Sequence, residues 1–81
     1  MNLYIGNLSY NLSEQELEEE FKAFGEVKSV KIITDRETGQ SKGFGFLEME
    51  TSEGGSEAIK ELNGKNLKGR DIRVNEARPR N

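Results

Sequence analysis

The apolar positions of this chain fall into two rhythms, and their order outlines a fold. Leu3-Tyr4-Ile5-Gly6-Asn7-Leu8 is a short β-prone run that ends in turn residues, which predicts a first strand. Ser13-Glu14-Gln15-Glu16 is a capping-box pattern, with Ser13 as N-cap and Glu16 reaching back to it. Behind it Leu17, Phe21 and Phe24 recur at the spacing of one buried helical stripe, and Gly25 follows as the expected C-cap. Val27 to Thr34, with Val30 and Ile32 among charged residues, reads as a second strand. Asp35-Arg36-Glu37-Thr38-Gly39-Gln40-Ser41 is a polar connection with a glycine, expected to be a mobile hairpin loop, and Lys42 to Met49 is a third strand. Ala58, Ile59 and Leu62 mark a second helix that stops at Asn63-Gly64. Leu67 then leads into a fourth strand over Arg70-Asp71-Ile72-Arg73-Val74.

The order is βαββαβ, a pair of crossovers split around a central hairpin. Right-handed crossovers put both helices on one face of a four-stranded antiparallel sheet. The fold class expected is therefore α+β, a ferredoxin-like sandwich whose other sheet face is bare. Strand side chains alternate between faces, so parity decides what the bare face carries. Leu3, Ile5, Leu47, Met49, Ile72 and Val74 belong against the helices, while Tyr4 points the other way with Lys42, Phe44, Phe46 and Glu48. Gly43 and Gly45 fall on the helix side, where the missing Cβ atoms would let a helix approach closely. Aromatics beside a lysine on an uncovered face form an apolar patch that a monomer rarely leaves without a use. Flat rings next to cations suit unstacked bases. Each base–ring stack is worth roughly 1–3 kcal/mol and needs no hydrogen-bond match. Lysine or arginine at the rim then takes phosphate charge.

Composition narrows the picture by exclusion. The 81 residues hold one small domain and one core, and a hydrophobic share of 32% fits a thin two-layer fold better than a large enclosed cavity. Cysteine and histidine are both absent, which removes disulfides, thiolate or imidazole metal sites and every Cys or His nucleophile. No cofactor or metal is called for, since Glu18-Glu19-Glu20 reads as a solvated helix face. No convergent acid, base and nucleophile set is visible either, so an enzyme is not expected. The glycine spacing completes neither a dinucleotide fingerprint nor a phosphate loop. The start shows no basic region followed by an apolar stretch, and no apolar run approaches the ~18 residues that cross a bilayer. A soluble, cytoplasmic monomer without membrane contact is the expectation, which also discounts the glycosylation sequons Asn7-Leu8-Ser9 and Asn11-Leu12-Ser13.

The net charge of −3 runs against the basic balance usual for a nucleic-acid binder. Its distribution matters more than its sum. Residues 12–26 carry a net −5 and residues 53–61 a net −2, whereas residues 27–49 carry +1 and residues 65–80 carry +4. Two faces of opposite sign are expected, acidic helices against a modestly basic sheet.

Leu3-Tyr4-Ile5-Gly6-Asn7-Leu8 and Lys42-Gly43-Phe44-Gly45-Phe46-Leu47-Glu48-Met49 resemble the hexamer and octamer motifs of the RNA recognition motif family. The order and spacing of the two motifs match as well, and the resemblance covers essentially the whole chain. It points most closely to the small single-domain proteins of bacteria and cyanobacteria, and also to plant organellar and glycine-rich RNA-binding domains. It assigns residues 1–78 to the domain and leaves 79–81 as a short C-terminal tail. The resemblance implies that Tyr4 stacks one base and Phe46 the next, that Phe44 lies against the sugars between them, and that Lys42 pairs with a phosphate. Asn7 enters the site set with the hexamer. The family also uses the end of strand four and beyond, here Asn75, Glu76, Ala77 and Arg78, to hydrogen-bond base edges. Lys31 and Arg73 are outward strand residues able to add phosphate contacts.

Three positions depart from the family pattern. The octamer closes with Met49 where an aromatic is usual, on the core side, so repacking is expected rather than lost binding. Gly54-Gly55 stand where alanine-like residues are usual, and at about 1 kcal/mol each they are expected to fray the first turn of the second helix. Glu48 and Glu76 put negative charge beside the proposed path, which is expected to lower affinity or bias base choice. The function expected is non-catalytic binding of short single-stranded RNA, with a role in post-transcriptional regulation implied. Single-stranded DNA is a further partner, since stacking does not require the 2′-hydroxyl. The alternative is a protein-interaction domain using the same sheet face.

Overall fold

The computed structural model of the chain describes residues 1–77. In chain order the elements are β1 (Asn2–Gly6), α1 (Glu14–Lys22), β2 (Val27–Thr34), β3 (Ser41–Met49), α2 (Ser52–Leu62), β4 (Asn66–Leu67), β5 (Arg70–Asp71) and β6 (Arg73–Glu76). β1, β2, β3 and β6 form one antiparallel sheet in the order β2-β3-β1-β6, and β4 and β5 form a separate two-stranded hairpin. Leu3, Ile5, Leu47, Met49 and Val74 from the sheet are buried in one cluster with Leu17 and Phe21 of α1 and Ala58 and Leu62 of α2. Both helices therefore cover the same face, as the crossover rule requires. The shortest dimension, 18 Å, is that of one helix layer on one sheet.

The helix starts follow the caps in the sequence. Ser13 Oγ accepts from the Glu16 N–H at 3.1 Å while Glu16 Oε1 accepts from the Ser13 N–H at 3.1 Å, closing the capping box. Thr51 Oγ1 accepts from the Gly54 N–H at 3.0 Å and opens α2. The end of α1 differs from expectation. The helix stops at Ala23, and the Phe24 N–H turns back to the Phe21 carbonyl at 3.1 Å, so Gly25 is not the C-cap and Phe24 packs on the core from outside the helix.

Four further details depart from the pattern reading. The fourth strand is broken at Ile72, whose N–H and carbonyl bond Lys65 and Gly64 (2.9 and 2.7 Å) rather than β1. That separates the β4–β5 hairpin, turned by the left-handed Lys68 and Gly69, from β6 in the main sheet. Gly54 and Gly55 do not shorten α2; both are buried within it. A Cβ on Gly54 would lie 2.9 Å from the Phe24 carbonyl oxygen, and one on Gly55 would meet the Met1 side chain, so these glycines exchange helix propensity for close packing. Nor does Gly45 make room for a helix. Its absent Cβ would sit 2.5 Å from the Lys31 carbonyl oxygen, so the neighbour it admits is the backbone of β2. Gly43 has φ 86°, a left-handed conformation, and faces the Leu8 carbonyl and the Tyr10 ring instead of a helix.

Both sheet edges are guarded. Glu14 Oε2 accepts from the Ile32 N–H at 2.8 Å where the β2–β3 pairing slips, and Asn63 Oδ1 accepts from the Val74 N–H at 3.0 Å on β6.

Candidate nucleic-acid interface

One rung of residues crosses all four strands on the face the helices leave bare. Lys31 of β2 lies opposite Phe46 of β3, Phe46 opposite Tyr4 of β1, and Tyr4 opposite Asn75 of β6. Phe44, two residues along β3, shares that face by parity. The ring centroids are 6.1 Å apart for Tyr4–Phe44, 5.8 Å for Tyr4–Phe46 and 6.3 Å for Phe44–Phe46, with interplanar angles of 32°, 62° and 88°. No pair is stacked face to face. The rings brace one another by tilted and edge contacts, and Phe46, 43% exposed, offers the most open surface of the three. Tyr4 and Phe44 are half-buried.

A second rung follows. Ser29 lies opposite Glu48 and Glu48 opposite Asn2, and the Ala77 N–H donates to the Asn2 carbonyl at 2.8 Å. Between the two rungs is a shallow depression of about 310 Å³ lined by Asn2, Ser29, Lys31, Phe46, Leu47, Glu48 and Ala77.

Lys31, Arg73 and Asn75 are exposed on this face, Arg73 opposite Gly6 of β1. Lys42 is exposed at the start of β3, beside the loop built around Asp35. Asp35 Oδ1 accepts from the Glu37 and Thr38 N–H groups at 2.8 and 3.2 Å, and its own N–H donates to the Gln40 carbonyl at 2.7 Å. Those backbone donors, with a smaller contribution from the Lys42 charge, hold the Asp35 carboxyl below its ordinary range.

Asn7 is placed differently from the aromatics. It sits in the left-handed region with φ 56°. Its Nδ2 donates to the Asp71 carbonyl at 2.7 Å, and its Oδ1 accepts from Arg70 Nε and Nη2 at 3.2 and 2.6 Å. Asn7 thus ties the end of β1 to the β4–β5 hairpin.

The basic C-terminal stretch is not spread over the sheet. Lys65 pairs with Glu20 at 2.6 Å and Lys68 with Glu16 at 2.9 Å, so both fold back onto acidic α1. The Lys68 hydrogen bond is the largest of the contacts that lower the Glu16 carboxyl below its ordinary value, followed by the Ser13 backbone N–H. Arg70 is bound to Asn7. Of the positive residues from 65 to 77, only Arg73 belongs to a strand of the main sheet. Arg78 lies outside the described residues.

Three residues near this face were not singled out from the sequence. Asn2 was within reach, two positions from Tyr4 and so on the same side. Ser29 was within reach in the same way, two positions from the outward Lys31 in an unbroken stretch of register. Tyr10, 67% exposed in the β1–α1 connection, obeys no strand parity. Its ring lies at the loop end of the sheet, 3.5 Å from where a Gly43 Cβ would be.

A bare four-stranded sheet face with this aromatic row defines the class. The chain belongs to the RNA recognition motif family, whose pattern matches residues 3–73. It is 49% identical over 80 residues to RbpA of Synechocystis sp., covering 99% of this chain and 79% of that protein. Among solved structures, RNA Binding Protein PG1 superposes with a TM-score of 0.94 at 46% identity, covering 100% of this chain and 98% of that one. A Sex-lethal protein–RNA complex superposes with a TM-score of 0.92 at 31% identity, covering 99% of this chain and 48% of that one.

Proposed function

We propose that this chain binds short single-stranded RNA on the bare face of its sheet and performs no chemistry on it. The observation that carries the reading is the rung Lys31–Phe46–Tyr4–Asn75, which sets two rings between a cation and an amide. Tyr4 and Phe46 stack successive bases, and Phe44 supports the sugars between them. Lys31, Lys42 and Arg73 take phosphates, while Asn75, Ala77 and Arg78 address base edges. Duplex RNA does not suit such a face, because its bases are already stacked and paired. Relatives named as RNA-binding proteins and a neighbour solved with RNA support the reading.

The area available suits about two to four nucleotides. With three cations on the face the log–log salt slope should be about −2, and affinity should be ~micromolar or weaker. Titration of a labelled single-stranded RNA with wild type and the Phe44→Ala/Phe46→Ala variant tests the mechanism. Loss of the two rings is expected to weaken binding by about 2–4 kcal/mol in total. Equal binding by both proteins would remove the stacking mechanism. Salt-insensitive capture of a peptide without RNA affinity would move the function to protein binding.

A further inference from the structure

The depression beside Phe46 carries a charge pattern that stacking alone does not require. Lys31 lies directly across from Phe46, and Glu48 directly across from Ser29, so an ammonium and a carboxylate flank the exposed ring from adjacent rungs. Lys31 and Glu48 are therefore diagonal neighbours, starting about 7–8 Å apart, a separation that two long side chains can close around one planar ligand. Glu48 is not consumed by the protein. Its side chain is 41% exposed, and its contact with Lys28 is 3.9 Å long, the kind of solvated pair that holds little.

We propose, resting on the reading that this face binds single-stranded RNA, that Glu48 and Lys31 make the Phe46 subsite select guanine and reject uracil. A base stacked on Phe46 presents its edge to these two groups. An ionised carboxylate only accepts hydrogen bonds, and an ammonium only donates them. Guanine offers two adjacent donors, N1–H and the N2 amine, to the two carboxylate oxygens, and its O6 to the ammonium. Adenine and cytosine offer one amine next to a ring acceptor, which leaves one carboxylate oxygen facing a lone pair. Uracil offers a single N–H between two carbonyls and suits the carboxylate least. The Ser29 hydroxyl and Asn2 amide both donate and accept, so they adapt to any base and do not set the choice.

The test is fluorescence anisotropy at fixed ionic strength with labelled UUUU and the tetranucleotides in which one uridine is replaced by guanosine. The best guanosine-containing tetramer is expected to bind wild type at least about fivefold more tightly than UUUU, the lower end of what a bidentate base contact gives in an open site. Glu48→Gln is expected to abolish that difference while raising UUUU affinity. Lys31→Met is expected to shrink the difference without reversing it. Three results would overturn the inference while leaving RNA binding intact: equal binding of all tetramers by wild type, an undiminished preference in Glu48→Gln, or a rise for every tetramer in step, which would reduce Glu48 to a general repulsive charge. Failure of wild type to bind any tetramer would remove the RNA-binding reading itself, and this inference with it.

Discussion

At the scale of single residues, the same strand parity that buries Leu3 and Ile5 turns Tyr4 outward, and the same rule turns Phe44 and Phe46 outward while Gly45 and Leu47 point inward. Asn7 answers to a different logic. Its left-handed backbone and its bonds to Arg70 and Asp71 make it a clasp between two regions 64 residues apart in sequence. Asn7→Ala is expected to cost about 1–2 kcal/mol of stability, from the lost hydrogen bonds and from alanine's poorer tolerance of the left-handed region, read as a lower urea midpoint. A stable Asn7→Ala protein with weakened RNA affinity would instead make Asn7 a ligand contact. The aromatics were legible in the sequence because their placement follows from a period of two. The clasp was not, because it depends on where a distant hairpin folds back.

At the scale of elements, the glycines show what a motif conceals. Gly45 in the octamer lies against the β2 backbone, and a methyl group there would meet the Lys31 carbonyl oxygen at 2.5 Å. Gly45→Ala is therefore expected to push β2 away from β3, destabilising the domain by about 1–3 kcal/mol and moving Lys31 relative to Phe46. Denaturant unfolding reads the first effect, and the amide shifts of Lys31 and Ile32 read the second. An unchanged midpoint would show that β2 yields freely. The element order and both helix starts were legible, since capping residues and apolar spacing act locally. The break at Ile72 was not, because its N–H and carbonyl choose the segment after α2 over β1, a competition no local pattern records. The buried glycines of α2 are a similar case: helix propensity counts against them, and the approach of Phe24 and Met1 decides in their favour.

At the scale of the whole molecule, charge is sorted by contact as well as by sequence. Lys65 and Lys68 neutralise part of α1, which leaves the sheet to Lys28, Lys31, Lys42 and Arg73, Lys28 lying beside Glu48. The segment totals overstated the positive charge available to RNA, since they could not show which lysines turn back. Two carboxylates in these networks, Glu16 and Asp35, are held below their ordinary values. A carboxylate depressed in the folded state contributes stability that is complete above its unfolded value and is lost as pH falls through the folded one. Stability is therefore expected to decline on acidification below about pH 4, and Asp35→Asn to show a shallower decline than wild type. Urea midpoints measured across that range check this, and identical slopes for the two proteins would contradict it.

Whether the bare sheet face receives the RNA is read by chemical-shift mapping of the labelled protein during titration with a short single-stranded RNA. Shifts are expected to concentrate on Tyr4, Lys31, Lys42, Phe44, Phe46 and Asn75, to saturate together, and to leave the outer faces of α1 and α2 still. Shifts confined to the helices, or none at saturating RNA, would contradict it.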